Sequence, residues 1–386
     1  MRGISLANVL TSRQHVRKMH SINHVRAAIR MTLPRRLLWL GLIGLLLIVC
    51  WLGAARRPGV PAQWASPSQG EPDRIDQAIA RAMRFLKRQQ LPSGAFPGVL
   101  CETLDLTNCV EDVSVFFPTF VLHALSFLPP EQTQRMRTRA VTFLMAAQHS
   151  PGIWSYWPKA SVRHTWLPPD LDDTACARAA LSLMRRSPAQ GMEAILNNRR
   201  DSDGTFWTWI GLPSEANEMD CVVNANVVFA LALEGRQAPQ TVEYLNQVMS
   251  SGFFEHCSRF YPRSEVLFYA ISRAYRDGGV RALQPAVAVA CEQLRTRQQP
   301  DGGFGDTPPT AFAALTWLNA GQSGEALERA VNWLLVHQRR DGGWQVTAAL
   351  YGAAYGTWIS GFHSSEAMAA ALALEALIKL HRHSNR

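Results

Sequence analysis

A pattern L-x3-Q-x3-G-x-[FW] occurs four times along the chain. It runs Leu86, Gln90, Gly94, Phe96, then Leu144, Gln148, Gly152, Trp154, then Leu294, Gln298, Gly302, Phe304, and last Leu334, Gln338, Gly342, Trp344. A fifth copy carries arginine in the glutamine place (Leu196, Arg200, Gly204, Phe206), and a sixth keeps only Gly252 and Phe254. Successive glycines stand 40 to 58 residues apart, the length of one helical hairpin per repeat. Each copy ends an amphipathic helix. Ile75, Ile79, Ala82, Met83 and Leu86 recur at helical spacing, as do Leu327, Val331, Leu334 and Leu335. The glycine past the helix allows a positive φ that stops it, and the aromatic residue two positions on is placed to fold back over the helix end. These read as outer helices with Arg and Gln on their wet side.

A more apolar helix follows each turn, with starts expected near Asp112, Asp173, Asp220, Pro262, Pro308 and Ser364. Thr174 to Met184, Val222 to Leu233, Thr310 to Leu318 and Glu366 to Leu377 are rich in Ala, Val and Leu. Helices apolar nearly all round belong in an interior. Six outer and six inner helices alternating along the chain predict an all-α fold, a single (α/α)6 toroid over 73–386. Closure into a ring leaves no end repeat to cap, unlike the alternative of an open solenoid.

The net charge of +9 is misleading, because it sits at one end. Residues 1–36 hold eight Arg or Lys and no acid, and Arg56 and Arg57 add two more. The rest is near neutral, so no nucleic-acid partner is expected. Leu37 to Ala55 carries no charge and is long enough to span a bilayer. With 1–36 kept in the cytoplasm, 37–55 reads as a transmembrane or signal-anchor helix, 56–72 as a linker, and the toroid as extracytoplasmic. A start at Met31 would instead make a cleavable signal peptide, and that too exports the toroid. Cys176, Cys221 and Cys291 read as small core residues. Cys101 and Cys109 bracket a short loop, a spacing that permits a disulfide in an exported domain.

The copies Gln299-Pro300-Asp301-Gly302-Gly303-Phe304-Gly305 and Gln338-Arg339-Arg340-Asp341-Gly342-Gly343-Trp344 resemble the Gln-Trp repeats of squalene–hopene cyclases. Protein prenyltransferase β subunits carry a related repeat. The resemblance spans about residues 73–380. Asp170-Leu171-Asp172-Asp173-Thr174-Ala175 is similar to the D-x-D-D-T-A motif of class II terpene cyclases. In that family the middle Asp protonates an alkene or epoxide, and the resulting carbocation cyclises. The resemblance implies Asp172 as general acid, tuned by Asp170 and Asp173. Three carboxyls crowded at one helix start share protons, and the helix N-terminus favours the remaining anions. Read without the resemblance, the same residues are an ordinary helix start with Asp173 as its cap.

Other polar residues fall at the same ends of the inner helices: Glu218, Asp220, Asn224 and Asn226 in the third, Glu265 in the fourth, Asp306 and Thr307 in the fifth, His363 and Glu366 in the sixth. In a closed toroid they converge on one mouth. Of these, Asp220, Asn224, Asn226, Glu265 and His363 are candidate substrate-binding residues. Trp154, Trp157, Trp166, Tyr261 and Trp358 join them, because aromatic faces stabilise cations without attacking them. His164 and His363 are candidate partners of the acid. Prenyltransferase chemistry is rejected: Asp306 and His363 stand roughly where two zinc ligands belong, but Pro308 replaces the cysteine. No metal or other cofactor is expected.

The sequence therefore predicts a class II terpene-cyclase-like protein that cyclises a linear isoprenoid without metal. Its partners would be that lipid and, through the N-terminal helix, the membrane. Squalene-type cyclases enclose substrate between two α-barrel domains and this chain has one, so closing the cavity would fall to a homodimer, another partner or the membrane. The alternatives are a non-catalytic toroid that binds a polyprenyl or other lipid chain, and a carbohydrate-active α/α barrel with paired carboxylates.

Overall fold

The computed structural model describes residues 71–384 apart from 187, 189, 349, 350, 356 and 357. The expected membrane segment, 37–55, lies outside the described residues. Among the described residues no helix is long and apolar enough to cross a membrane.

Twelve α-helices alternate along these residues. The outer ones are α1 (Glu71–Gln89), α3 (Pro130–Ala147), α5 (Met192–Leu196), α7 (Pro239–Ser251), α9 (Gln284–Arg297) and α11 (Glu325–His337). The inner ones are α2 (Phe116–Ser126), α4 (Leu171–Leu183), α6 (Cys221–Leu233), α8 (Ser264–Arg276), α10 (Thr307–Asn319) and α12 (Glu366–Ser384). Each inner helix packs on the next, and α12 packs on both α1 and α2, so the ring closes. The inner helices are buried on nearly every face.

The repeat residues hold neighbouring hairpins together. Gln90 Nε2 donates to Gly94 O (3.1 Å) and to Met136 O on the next outer helix (2.9 Å). Gln298 Nε2 does the same with Gly302 O and Ala326 O, both at 2.8 Å. Gln338 Nε2 donates to Gly342 O (3.1 Å) and to Ala78 O (2.9 Å), which fastens the last repeat to the first. The glutamines thus bridge helices rather than facing water, and Gln90 is buried. Around Gln148 the next outer helix, α5, is only five residues long, and Gly152 abuts Gln190 instead. In the arginine copy Thr241, from the next outer helix, bonds Gly204 O. The repeat tryptophans fold back as the spacing suggests. Trp154 Nε1 donates to Leu144 O and Trp344 Nε1 to Leu334 O, each at 2.8 Å.

The fold is not purely helical. A small antiparallel sheet, order β2-β1-β4-β3, joins the loops of the first and last hairpins. Its strands are β1 (Pro97–Cys101), β2 (Val110–Val113), β3 (Tyr351–Tyr355) and β4 (Trp358–Ser364). Asp112 therefore lies on β2 and His363 on β4, not at inner-helix starts. Among the described residues there are two disulfides, Cys101–Cys109 across the β1–β2 loop and Cys221–Cys257. The second corrects the reading of Cys221 as an unpaired core residue.

Candidate active site

A second, shorter repeat builds the mouth of the ring. Asp170, Asp220 and Asp306 are the N-caps of α4, α6 and α10, and each side chain accepts backbone N–H groups of its helix. Four residues on stand Thr174, Asn224 and Thr310. Their side-chain oxygens accept the N–H of the repeat aromatics Trp154 (3.0 Å), Phe206 (2.8 Å) and Phe304 (3.0 Å). So Asp-x3-[Thr/Asn] ties these three inner helices to the loops before them. This corrects three expectations. The cap of α4 is Asp170, not Asp173. Asn224 is spent on Phe206 and on Asp220 O. Trp154 is consumed as the repeat aromatic, fully buried against α3.

The buried acidic cluster sits where α4 and α6 depart from this repeat. Asp172 and Asp173 occupy the positions of Val222 and Val223 in α6 and of Pro308 and Pro309 in α10. Asn226 stands where α4 has Cys176 and α10 has Phe312. Asn226 Nδ2 donates to Asp172 Oδ1 at 2.6 Å, and Tyr261 OH donates to Asp172 Oδ2. Burial pushes the Asp172 carboxyl up to about 7. The bonds from Tyr261 and Asn226 oppose that rise, and the nearby charges of Asp170 and Asp220 add to it. Burial also lifts Asp170 to about 6 and Asp173 well above its ordinary value, the second helped by the adjoining Asp170 carboxyl.

Asp170, Asp172 and Asp173 border a narrow cleft of about 40 Å³. Phe116, Tyr156, Leu167, Trp209, Phe260 and Tyr261 make its apolar wall. Asp220 shapes this wall from behind. Its Oδ2 accepts from Ser258 Oγ (2.8 Å), Arg259 N (2.7 Å) and Phe260 N (3.3 Å), which fixes the loop that presents Phe260 and Tyr261. The Cys221–Cys257 disulfide clamps the same loop one residue further out.

A second buried group adjoins the cleft. Asp112 accepts from Trp157 Nε1 (2.7 Å) and Tyr156 OH (2.9 Å), with His363 Nδ1 at 3.0 Å. Asp112 and His363 meet across β1, where Gly98 stands opposite Asp112. A Cβ on Gly98 would lie 2.2 Å from the Phe117 ring. Burial raises the Asp112 carboxyl, but the bonds from His363, Trp157 and Tyr156 outweigh it and hold Asp112 below its usual value. Burial holds His363 low and therefore neutral at pH 7. His363 thus serves Asp112 and Tyr156, and Asp172 is bonded elsewhere. His164 bonds Ser161 O. Asp306 is taken up by Thr307 N, Thr347 N and Ala348 N, so Asp306 and His363 do not come together.

Of the remaining candidates, Glu265, Trp157 and Trp166 do not border the cleft. Glu265 is buried in the first turn of α8. Trp157 packs edge-on against Tyr156 and Trp166, and Trp166 is about half exposed under Arg163. The Trp358 side chain lies outside the described residues. Sequence reasoning missed Phe116 and Leu167 of the wall, and Asp112 and Tyr156 as a bonded pair.

A closed α/α ring with a buried carboxyl at the wall of an aromatic cleft is a terpene-cyclase-like toroid. Residues 133–233 match the family model for the sesquiterpene cyclase astC-like C-terminal domain. Among solved structures the fold is that of the type II terpene cyclase MstE from Scytonema (18% identity, TM-score 0.65, covering 81% of this chain and 99% of that one). A protein from Actinoplanes is similar (20%, 0.64, 81% and 100%). A possible member of the GH105 family from Salmonella enterica is more distant (13%, 0.54, 85% and 99%). At these identities the likeness is one of fold. No curated protein sequence matches the chain.

Proposed function

We propose that this chain is a class II-type terpene cyclase in which Asp172 protonates a terminal alkene of a linear isoprenoid. The observation that carries this is a buried carboxyl, pushed up to about 7 by burial, at the wall of an aromatic cleft. Both hydrogen bonds to Asp172 are ones it accepts, so neither takes up its own proton. They also stabilise the carboxylate left after transfer, which strengthens the acid without deprotonating it beforehand. The alkene π pair forms the new C–H bond, and the cation moves along the chain as ring bonds form. Loss of a proton at the end makes the reaction an isomerisation. Phe116, Tyr156, Trp209, Phe260 and Tyr261 line the cleft with aromatic rings that would stabilise the cation. MstE, a type II terpene cyclase, has been crystallised with geranylgeranyl dihydroxybenzoate as substrate, which supports an isoprenoid tail as the substrate class. Its chain is covered almost whole by one toroid, so a single ring is a sufficient size.

The carbohydrate reading requires acid and base on opposite sides of the scissile bond. The carboxyls bordering this cleft all come from one helix start. As a further part of the proposal, the toroid is extracytoplasmic, held at the membrane by 37–55. Two disulfides fit an oxidising compartment.

The test is incubation of the purified full-length protein with farnesyl, geranylgeranyl and squalene-type chains, with mass spectrometry of the extract. A cyclised isomer that disappears in Asp172→Asn is the expected result. Binding without conversion in both proteins would favour the non-catalytic lipid-binding toroid.

A further inference from the structure

Behind the acid lies an arginine that the proposed chemistry does not touch. Arg273, in the last turn of α8, is buried. Its guanidinium lies over the rings of Phe229 (4.7 Å), Tyr269 (5.2 Å) and Phe120 (5.6 Å). Among the described residues it forms no ion pair with a carboxylate. Such a buried cation is expensive to keep, and aromatic faces offset only part of that cost. Its Nη2 donates to Asn226 Oδ1 at 2.7 Å, and Asn226 Nδ2 donates in turn to Asp172 Oδ1 at 2.6 Å.

This bond decides which end of the amide the acid meets. An unconstrained Asn226 could turn its oxygen toward Asp172 and accept the acid's proton in a hydrogen bond, which favours the neutral carboxyl. With Oδ1 held by a cation, only the NH2 group faces Asp172, and that favours the carboxylate. The geometry points to Arg273 as a positioning residue that sets the proton-donating strength of Asp172 through Asn226. This rests on the acid role argued above for Asp172.

Several other groups bear on Asp172 and must stay in place for the comparison. From α4 and its cap these are Asp170, Asp173 and Cys176, from the α6 cap Asp220, and from the loop before α8 Tyr261, while Arg273 on α8 is itself flanked by Tyr269 and by Glu375 of α12. None of them is altered in the variants below other than Arg273 itself.

The experiment follows the ionisation of Asp172 in the full-length protein by 13C NMR of labelled aspartate, the signal being assigned by its loss in Asp172→Asn. Arg273→Met is expected to raise the midpoint by about one pH unit, as loss of a nearby opposite charge does. Arg273→Lys, which keeps the cation, should stay close to the wild-type midpoint. Asn226→Leu cuts the link with Arg273 in place and should shift the midpoint upward like Arg273→Met, which keeps the test alive if that variant fails to fold. In turnover, Arg273→Met should lower kcat roughly tenfold, leave KM unchanged and extend activity to higher pH. A purely structural arginine would lower stability without moving the midpoint. An unmoved midpoint in Arg273→Met or Asn226→Leu, or equal shifts for Met and Lys, overturns the inference. Midpoints that move as expected in a protein that converts no isoprenoid would sink the cyclase reading and leave the relay standing.

Discussion

At the residue scale the three aspartates of one helix start have separate jobs. Asp170 is the cap, so Asp170→Ala should lower stability by about 1 kcal/mol. Asp173→Ala removes a crowded buried carboxyl and should cost less, and urea unfolding of the two variants at pH 7 checks the order. Asp172 carries a pH dependence whose sign follows from its surroundings. Its folded value, about 7, lies above that of an unfolded Asp. The native state therefore holds the proton longer, and the associated stability is present at low pH and lost as pH rises through 7. Asp172→Asn cannot ionise. It should be inactive, near wild type in stability at pH 4, and more stable than wild type at pH 8 by about 2–4 kcal/mol. Wild-type turnover should fall over the same rise in pH, as the acid loses its proton.

At the scale of elements, the glutamine bridges make a sharp contrast between copies of one motif. Gln90→Leu strands the carbonyls of Gly94 and Met136 and should cost about 1–3 kcal/mol. Gln148→Leu, where no such bridge is seen among the described residues, should be close to neutral in the same denaturation assay. Gly94→Ala should be worse than either, since φ is +95° and the new Cβ would lie 2.1 Å from Arg139 O.

How far these elements could be read beforehand depends on the range of the contacts. The outer helices, their stops and the folding back of Trp154 and Trp344 follow from residues within one turn of each other, and the pattern displays them. The Asp-x3-[Thr/Asn] tie was also visible, and comparing repeats at Asp170, Asp220 and Asp306 would have marked Asn224 as structural and Asn226 as the exception. The sheet was not legible, because β1 and β4 lie more than 250 residues apart and each is short. His363 was therefore assigned to the wrong element and the wrong carboxylate. The Cys221–Cys257 pair spans a whole outer helix, and spacing alone offers no guide to it.

At the scale of the whole molecule, two expectations concern compartment and metal. A reporter fused at the C-terminus should be active only if it is exported, and a reporter that works only in the cytoplasm would overturn the proposed topology. Chelator treatment should leave turnover and melting temperature unchanged. His123, Asp277 and Glu375 lie close enough to share an ion, but Lys379 Nζ already sits 2.7 Å from Asp277 and 2.8 Å from Glu375. A divalent ion would have to displace that ammonium.

One joint of the ring joins the two ends of the folded chain. Gln338 and Ala78 make the same bridge as Gln298 and Ala326, but across 260 residues rather than 28. Closing the longer loop costs about 2 kcal/mol more chain entropy for an identical pair of hydrogen bonds. That joint is where the annulus is expected to form last and open first. The β1–β4 pairing lies at the same place, a clasp that adds backbone hydrogen bonds where the entropic cost of closure is greatest.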